Sequence, residues 1–251
     1  MKDRRQNPAT ILIGVAMFFV LWQVLAWIVN RPILPAPGSV LPVFVNLLPG
    51  ELGLHLIAST LRVLAATALA VIAAVPIGLG LGQSSRLDRI FAPLIAILYP
   101  IPKIVLLPVF YVLAGITDVS KILLIALILF FQILVVVRDQ ATTLRPELIL
   151  SVRSLGAGRR ALFRFVYLPA SLPAVVTSLR ISVGIAISVL FIAEQSLTEY
   201  GLGYFIIVRT YQVLRYTEMY AGILAMSLLG LAAYFVLDAL ERRVNRHLYV
   251  E

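Results

Sequence analysis

Six long apolar stretches constrain the fold of this chain more than any other feature. They cover residues 9–29, 56–81, 90–114, 122–137, 172–193 and 220–240. A helix needs about 20 apolar residues to cross the hydrocarbon core of a bilayer, and it satisfies its own backbone hydrogen bonds. A membrane barrel would instead show alternating segments of about 10 residues, unlike these continuous runs. The pattern therefore predicts an all-α integral membrane protein with six transmembrane helices.

Composition limits what such a chain can do alone. Hydrophobic residues make up 61% of the 251 residues and charged residues 13%, whereas soluble domains carry about 25% charged residues. Six spans leave almost no chain for an extramembrane domain, so any energy-coupling chemistry must come from another subunit. The net charge of +9 is spread over short segments between the spans. We therefore expect the lipid bilayer, and no nucleic acid, as a partner.

Basic residues concentrate on one side of the predicted spans. With a cytoplasmic N-terminus, the inside segments contain most arginines, among them Arg86, Arg89, Arg138, Arg145, Arg153, Arg159, Arg160, Arg164, Arg242 and Arg243. This bias predicts that both termini are cytoplasmic. Residues 1–30 then form a tail and a retained first helix, because the 9–29 run is too long for a signal peptide. Residues 31–55 form an external, proline-rich connection of extended or short amphipathic pieces, and residues 56–251 form the core, with a cytoplasmic segment at 139–171.

The third apolar stretch contains an unusual number of prolines. Four of them surround Lys103: Pro93, Pro100, Pro102 and Pro108. Proline removes a backbone donor and clashes with the preceding turn, so we expect this helix to bend or break within residues 99–103. Such a break is either a structural kink or an opening of the backbone onto a water-filled path.

The longest cytoplasmic segment has a specific pattern. Pro146 suits a first helical turn, and Leu148, Val152 and Leu155 then recur on one helical face. Two glycines, Gly156 and Gly158, predict a helix stop and a sharp turn. Residues 159–166 predict a second short helix that ends before Leu168 and Pro169. The pattern alone fits equally an amphipathic loop without a partner.

These residues resemble the EAA loop of ABC importer permeases. The family pattern is Glu-Ala-Ala, three residues, Gly, nine residues, an aliphatic residue, one residue and Leu-Pro. This chain has Gly156, Val166, Leu168 and Pro169 at that spacing, but Leu150-Ser151-Val152 where Glu-Ala-Ala is usual. The resemblance implies a coupling helix that seats in a cleft of an ATPase subunit. The implied coupling residues are Leu150, Ser151, Val152, Ser154, Leu155, Gly156, Ala157, Arg159, Leu168 and Pro169.

Other segments extend the resemblance over nearly the whole chain. Residues 99–103, 179–181, 193–194 and 201–204 are similar to the branch that imports nitrate, sulfonates, taurine and related solutes. The implied fold is a five-helix type I ABC importer permease core (MetI-like) plus a peripheral N-terminal helix, in the bacterial plasma (inner) membrane. The implied partners are ATPase subunits that carry ATP and Mg, a second permease copy as a homodimer, and an external solute-binding protein. No cofactor is implied in this chain.

Ionisable residues within spans are costly and invite functional interpretation. They are Arg62, Lys103, Arg180 and Glu194. Arg62 and Arg180 are either functional or snorkel to water from near the span ends. Lys103 lies among the prolines, where it would favour an anionic solute if it lined a path.

The fifth span carries several of the candidate path residues. On one helix, Arg180 and Glu194 are about 21 Å apart along the axis and cannot pair. Glu194 suits a salt bridge, a gate or a solute contact, and Gly184 with Ser188 forms a small polar stripe that suits a path or close packing. The predicted path residues are Tyr99, Pro102, Lys103, Arg180, Gly184, Ser188 and Glu194.

Several chemistries find no support in the sequence. The absence of Cys excludes disulfides and thiolate metal sites. Gly78, Gly80 and Gly82 lack the Lys-Ser/Thr of a P-loop, so they predict helix packing. His55 and His247 are isolated, and we expect neither a metal site nor a catalytic residue.

The hypothesis is therefore a permease without its own ATPase, which passes a small anionic solute while partner subunits hydrolyse ATP. Two rivals remain open: a secondary transporter or channel, which needs no docking loop, and a membrane anchor subunit of an enzyme complex. The glycine-turn loop argues against both.

Overall fold

A computed structural model describes residues 8–144, 146–195 and 197–244, which form helices joined by short connections and no strand. The helices, with their flanking 3₁₀ and π segments, are α1 Pro8–Val29, α2 Pro37–Leu47, α3 Glu51–Gln83, α4 Ser85–Leu98, a 3₁₀ turn Lys103–Leu106, α5 Leu107–Ala114, α6 Asp118–Thr142, α7 Pro146–Ser154, α8 Arg159–Leu162, a π segment Phe163–Tyr167, α9 Leu168–Ala193, α10 Leu202–Tyr204, a π segment Phe205–Thr210, a 3₁₀ turn Tyr211–Val213 and α11 Tyr216–Val244.

The helices long and apolar enough to cross a membrane match the predicted stretches. Five such helices occur among the described residues, and a sixth span results if the pair α4 and α5 is counted as one. This pair is bent by 86°. Helix α4 ends at Leu98 and the 3₁₀ turn begins at Lys103, so the predicted break within residues 99–103 is confirmed.

Most of helix α1 is exposed. Only 6% of its apolar window is buried, against 39% for α3 and 44% for α6. One anchor is Trp22, whose Nε1 donates to the Pro35 carbonyl at 3.0 Å and whose ring stacks on Tyr220. Helix α11 is buried to the same 6%, so burial does not distinguish the first span from the core helices, and its peripheral position stays a prediction.

The external connection differs from the expected one at its end. It contains α2, a short helix of the kind expected, but α3 already begins at Glu51. Residues 51–55, assigned to the connection from the sequence, are therefore helical. The apolar run begins only at Leu56, but a carboxylate in the first turn stabilises the helix N-terminus, so the helix extends beyond that run.

The chain divides into two compact units. Among the described residues, the first unit contains 8–60 and 191–229, and the second contains 61–190 and 230–244. Helices α3, α9 and α11 each contribute residues to both units.

Close packing of α3 against α6 forms part of the second unit. A Cβ added at Gly82 would lie 2.5 Å from the Ala141 Cβ and 2.7 Å from the Arg138 carbonyl. A Cβ at Gly78 would lie 3.1 Å from the Leu134 carbonyl, whereas Gly80 faces open space. The packing interpretation is thus confirmed for Gly78 and Gly82 and wrong for Gly80.

The segment at 139–171 continues into the fifth span without a break. Helix α8 passes through the π segment Phe163–Tyr167 directly into α9. The prediction that the second short helix ends before Leu168 and Pro169 is therefore wrong. The Leu168 N–H bonds the Phe163 carbonyl five residues earlier, and this wider π turn accommodates Pro169, which has no N–H and would clash with a regular α-turn.

Candidate functional site

The segment at 139–171 contains a hydrogen-bonded turn at its centre. Gly156 has φ +81°, a left-handed conformation that glycine adopts without steric cost. Its N–H donates to the Arg153 carbonyl at 2.9 Å, and the Ala157 N–H donates to the Val152 carbonyl at 3.4 Å. This pair of hydrogen bonds is a Schellman motif, which ends α7 and fixes the direction of the following chain.

Apolar side chains of this segment project away from the protein. Leu155 is 86% exposed and Leu150 is 62% exposed. Two serines on the same helix satisfy their hydroxyls locally, because Ser151 donates to the Glu147 carbonyl and Ser154 to the Ser151 carbonyl, both at 2.8 Å. The exposed leucines are therefore free to contact another molecule.

The other predicted coupling residues have varied environments. Val152, Ala157 and Leu168 are half-buried, while Pro169 is exposed. Val166, two residues before Leu168, is buried, so the chain around Leu168 and Pro169 exposes only one of its faces. The predicted positions outside the described part are Arg145, His247 and the side chains of Leu148 and Arg159.

Lys103 occupies the break in the bent span. Its ammonium donates to the carbonyls of Leu98, Tyr99 and Ile101 at 3.1, 2.9 and 3.3 Å. It also lies 4.5 Å from the centre of the Phe131 ring. Carbonyls at a helix C-terminus carry partial negative charge and lack intrahelical donors, so the cation caps the end of α4.

Tyr99 and Pro102 flank this cap. Of the predicted path residues, the structure brings Tyr99 to Lys103 through the Tyr99 carbonyl. The Tyr99 ring itself is 48% exposed, and Pro102 is exposed as well. The bend is thus stabilised locally by the side chain that the sequence placed at its centre.

Arg180 lies beside two carboxylates of α11. Its Nη1 lies 3.2 Å from an Asp238 oxygen, and its Nε lies 2.8 Å from a Glu241 oxygen. Glu241 is 7% exposed and also accepts a hydrogen bond from Thr177 at 2.6 Å. Helix α11 thus supplies two counter-charges to Arg180, whose side chain is 29% exposed, and whether this residue is functional or snorkels to water stays a prediction.

Arg62 is buried in a similar ion pair. The side chain lies on α3 and is 3% exposed. Its Nε and Nη2 donate to one Asp118 oxygen at 2.9 and 2.6 Å. Asp118 begins α6, and this carboxylate compensates the guanidinium, so a buried ion pair replaces the snorkelling interpretation for Arg62.

Gly184 and Ser188 lie on an uncovered face of α9. Both are exposed, and a Cβ added at Gly184 would meet no atom within 4 Å. The Ser188 hydroxyl donates to the Gly184 carbonyl at 2.8 Å. The small polar stripe therefore exists, but it packs against nothing within 4 Å of Gly184.

Glu194 forms a buried cluster in the first unit. It is completely buried, and its oxygens accept hydrogen bonds from Ser59 at 2.8 and 3.0 Å and from the Gly203 N–H at 3.0 Å. Ser59 in turn accepts from the Leu202 N–H at 2.8 Å. This cluster joins the start of α3 to the segment that follows α9.

His55 strengthens the same junction. Its Nδ1 accepts from the Gly201 N–H at 3.0 Å, and three aromatic rings surround its imidazole: Tyr200, Tyr204 and Phe205. Gly201 has φ +130°, a backbone conformation that favours glycine. Gly201, Leu202 and Gly203 are buried, so this turn packs within the first unit.

An ion pair at the edge of the first unit joins the same two segments. Arg209 donates from Nε to Glu51 at 2.8 Å. The hydrogen bond that Arg209 donates to the Glu51 carboxylate raises the pKa of the guanidinium, which therefore remains protonated.

Sequence reasoning missed most of these partners. Asp118, Asp238 and Glu241 each lie near a predicted span end, where a carboxylate gives no signal beyond ordinary solvation. Ser59 and His55 lie on the helix that also carries Arg62. Their spacing of four residues, which places them on one helical face, was the available signal.

The whole chain is similar to known transport proteins. It matches the family of binding-protein-dependent transport system inner membrane components over residues 66–246. It is 31% identical to the taurine transport system permease protein TauC of Escherichia coli over 248 residues, which cover 95% of this chain and 90% of that protein. It is 30% identical to the putative aliphatic sulfonates transport permease protein SsuC of Bacillus subtilis, covering 91% and 84%.

A solved structure has the same fold. The inward-facing MetNI methionine ABC transporter matches with a TM-score of 0.65 at 19% identity, over 77% of this chain and 96% of that chain. The predicted MetI-like fold is therefore confirmed.

Proposed function

We propose that residues 146–169 dock an ATPase subunit. The chain belongs to the family of binding-protein-dependent transport system inner membrane components and is the permease of an ABC importer. In this proposal the ATPase subunits bind ATP and Mg, and this chain supplies the translocation path without hydrolysing ATP. An external binding protein delivers the solute, and a second copy of the chain completes the path.

The exposed Leu155 is the observation that carries the docking proposal. An 86% exposed leucine at the end of a helix costs hydration free energy unless a partner covers it, at about 25 cal/mol per Å² of apolar surface. The Schellman turn at Gly156 fixes its orientation. Helix α8 continues into α9, so a force applied at this turn would reach the spans.

The proposed solute is a small anion of the taurine, sulfonate or nitrate type. Support comes from TauC and SsuC, whose names refer to taurine and aliphatic sulfonates. The Lys103 ammonium is already bound to backbone carbonyls, so we assign the anion preference to the importer as a whole.

Copurification tests the docking proposal. Leu155→Ala should reduce the amount of ATPase subunit that copurifies with the tagged permease, because it removes the exposed apolar contact. Val112→Ala is the matched control, since Val112 is 85% exposed and Leu155 86%. Val112 lies on α5, away from the cytoplasmic segment, so its truncation should not reduce copurification. Equal copurification of both variants contradicts the proposal.

Uptake measurements separate the importer from its rivals. Proteoliposomes that contain the permease, its ATPase and its binding protein should accumulate labelled taurine or a sulfonate only when ATP is present inside the vesicles. The permease purified alone should hydrolyse no ATP. Uptake into ATP-free vesicles that contain only this chain would instead support a secondary transporter or channel.

A further inference from the structure

An ion network joins α9 to the C-terminal half of α11. Arg180 lies against both Asp238 and Glu241, at 3.2 and 2.8 Å. Glu241 also accepts from Thr177, one turn before Arg180 on α9. Arg242 donates to the second Asp238 oxygen at 2.9 Å from within α11. Two guanidinium groups and two carboxylates therefore compensate one another.

We infer that Arg180 is a positioning residue for import, which transmits movement of the cytoplasmic segment to α11 by exchanging between Asp238 and Glu241. The inference rests on the proposed function, because the movement originates where the ATPase docks. Arg180 itself need not contact solute for this role.

Helical continuity carries the first step of the argument. The chain is helical from Arg159 through the π segment to Ala193. Arg180 lies about 18 Å along the axis from Leu168 at 1.5 Å per residue. Because no non-helical connection interrupts this stretch, a displacement of the segment moves Arg180 with it. The π segment is an irregular turn on the way, and Pro173 lacks the N–H for one backbone hydrogen bond of α9 before Arg180 is reached.

The spacing of the two carboxylates carries the second step. Asp238 and Glu241 are one helical turn apart, about 4.5 Å along α11. Arg180 can therefore shift by almost a turn and still face a carboxylate. Helices are known to move past one another in such one-turn steps. Apolar side chains of similar volume would hold two helices at lower desolvation cost. In this structure Arg180 contacts both carboxylates at once, and under the inference a shift along α11 leaves it with one of them.

The surroundings of Arg180 allow such an exchange. The guanidinium Cζ lies 6.0 Å from the centre of the Tyr234 ring, one turn before Asp238 on α11. Tyr234, Asp238 and Glu241 thus form a row along the face that Arg180 meets. A planar guanidinium can stack on the ring while it changes carboxylate, which an ammonium group does less well.

The test is the number of solute molecules imported per ATP hydrolysed, in proteoliposomes with the ATPase and the binding protein. We expect Arg180→Gln to lower this ratio about tenfold, while Arg242→Gln changes it by less than about twofold. Arg242→Gln is the matched control, because Asp238 also loses one guanidinium partner there but keeps its bond to α9. Copurification of the ATPase should stay unchanged in both variants.

A conservative variant separates positioning from simple stability. Arg180→Lys keeps the charge but reaches one carboxylate at a time, so an intermediate ratio is expected. A purely structural role predicts less protein with a wild-type ratio, and a wild-type ratio in Arg180→Gln overturns the inference. If Arg180→Gln does not fold, the ratio of solute imported to ATP hydrolysed is measured in Glu241→Gln and Thr177→Val instead. A wild-type ratio in these variants then overturns the inference. A docking failure appears separately, as ATPase lost from Leu155→Ala.

Discussion

Glu194 is a residue whose environment determines its role. A fully buried carboxylate is tolerated only when hydrogen bonds compensate its desolvation. Here Ser59 and the Gly203 N–H provide them. The cluster holds the segment after α9 against the start of α3, so we interpret Glu194 as a structural anchor of the first unit.

Glu194→Gln should lower the free energy of unfolding by about 1–3 kcal/mol, because an amide nitrogen cannot accept the bonds that a carboxylate oxygen accepts. Thermal unfolding of the detergent-purified permease measures this change. Glu199→Gln is the control, since Glu199 is an exposed carboxylate of the same loop. Unfolding at the same temperature in both variants would contradict the anchor role.

Lys103→Met should destabilise the permease by about 1–3 kcal/mol, because the backbone carbonyls at the bend lose their charged donor. If the side chain acts as a cap, the KM for solute uptake stays at its wild-type value. A raised KM with unchanged thermal stability would instead show that Lys103 contacts the solute. Arg86→Met, which removes an exposed cation, is the control for the loss of charge.

The contact between α3 and α6 depends on two glycines of α3. Gly82 faces the backbone of α6 within van der Waals distance, whereas Gly80 faces open space on the same helix. Gly80 and Gly82 are thus glycines two residues apart on the same helix that differ in packing.

Gly82→Ala should destabilise the permease by about 1–3 kcal/mol, because the added methyl overlaps Ala141 and the Arg138 carbonyl. Gly80→Ala should be neutral or stabilise by up to about 1 kcal/mol, since alanine favours helix and meets no neighbour. Comparison of the two melting temperatures tests the helix contact directly. A lower melting temperature for Gly80→Ala than for Gly82→Ala would refute it.

The bent span and the turn at Gly156 are elements whose form was predictable. Pro100 and Pro102 forbid a regular helix, and Gly156 permits a left-handed turn, so local sequence suffices for both. The π segment before Pro169 was not predicted, because a helix that widens and one that stops are both compatible with proline at that position.

The arrangement of the whole chain in the membrane follows from its charges. Both termini should face the cytoplasm, because arginine-rich segments remain on that side. An alkaline phosphatase fused after residue 251 should therefore be inactive, and the same enzyme inserted in residues 31–36 should be active. Activity of the C-terminal fusion would reverse the orientation and place the docking segment outside the cell.

Membrane spans, the broken third span and the glycine turn could be derived from the residues alone, since each depends on local hydrophobicity or on one residue's backbone preference. The ion pairs could not. Arg180 finds Asp238 58 residues later, Arg62 finds Asp118 56 residues later, and Ser59 finds Glu194 135 residues later. Such pairings depend on which helix faces lie against one another, and only the packing of helices that are distant in sequence decides that.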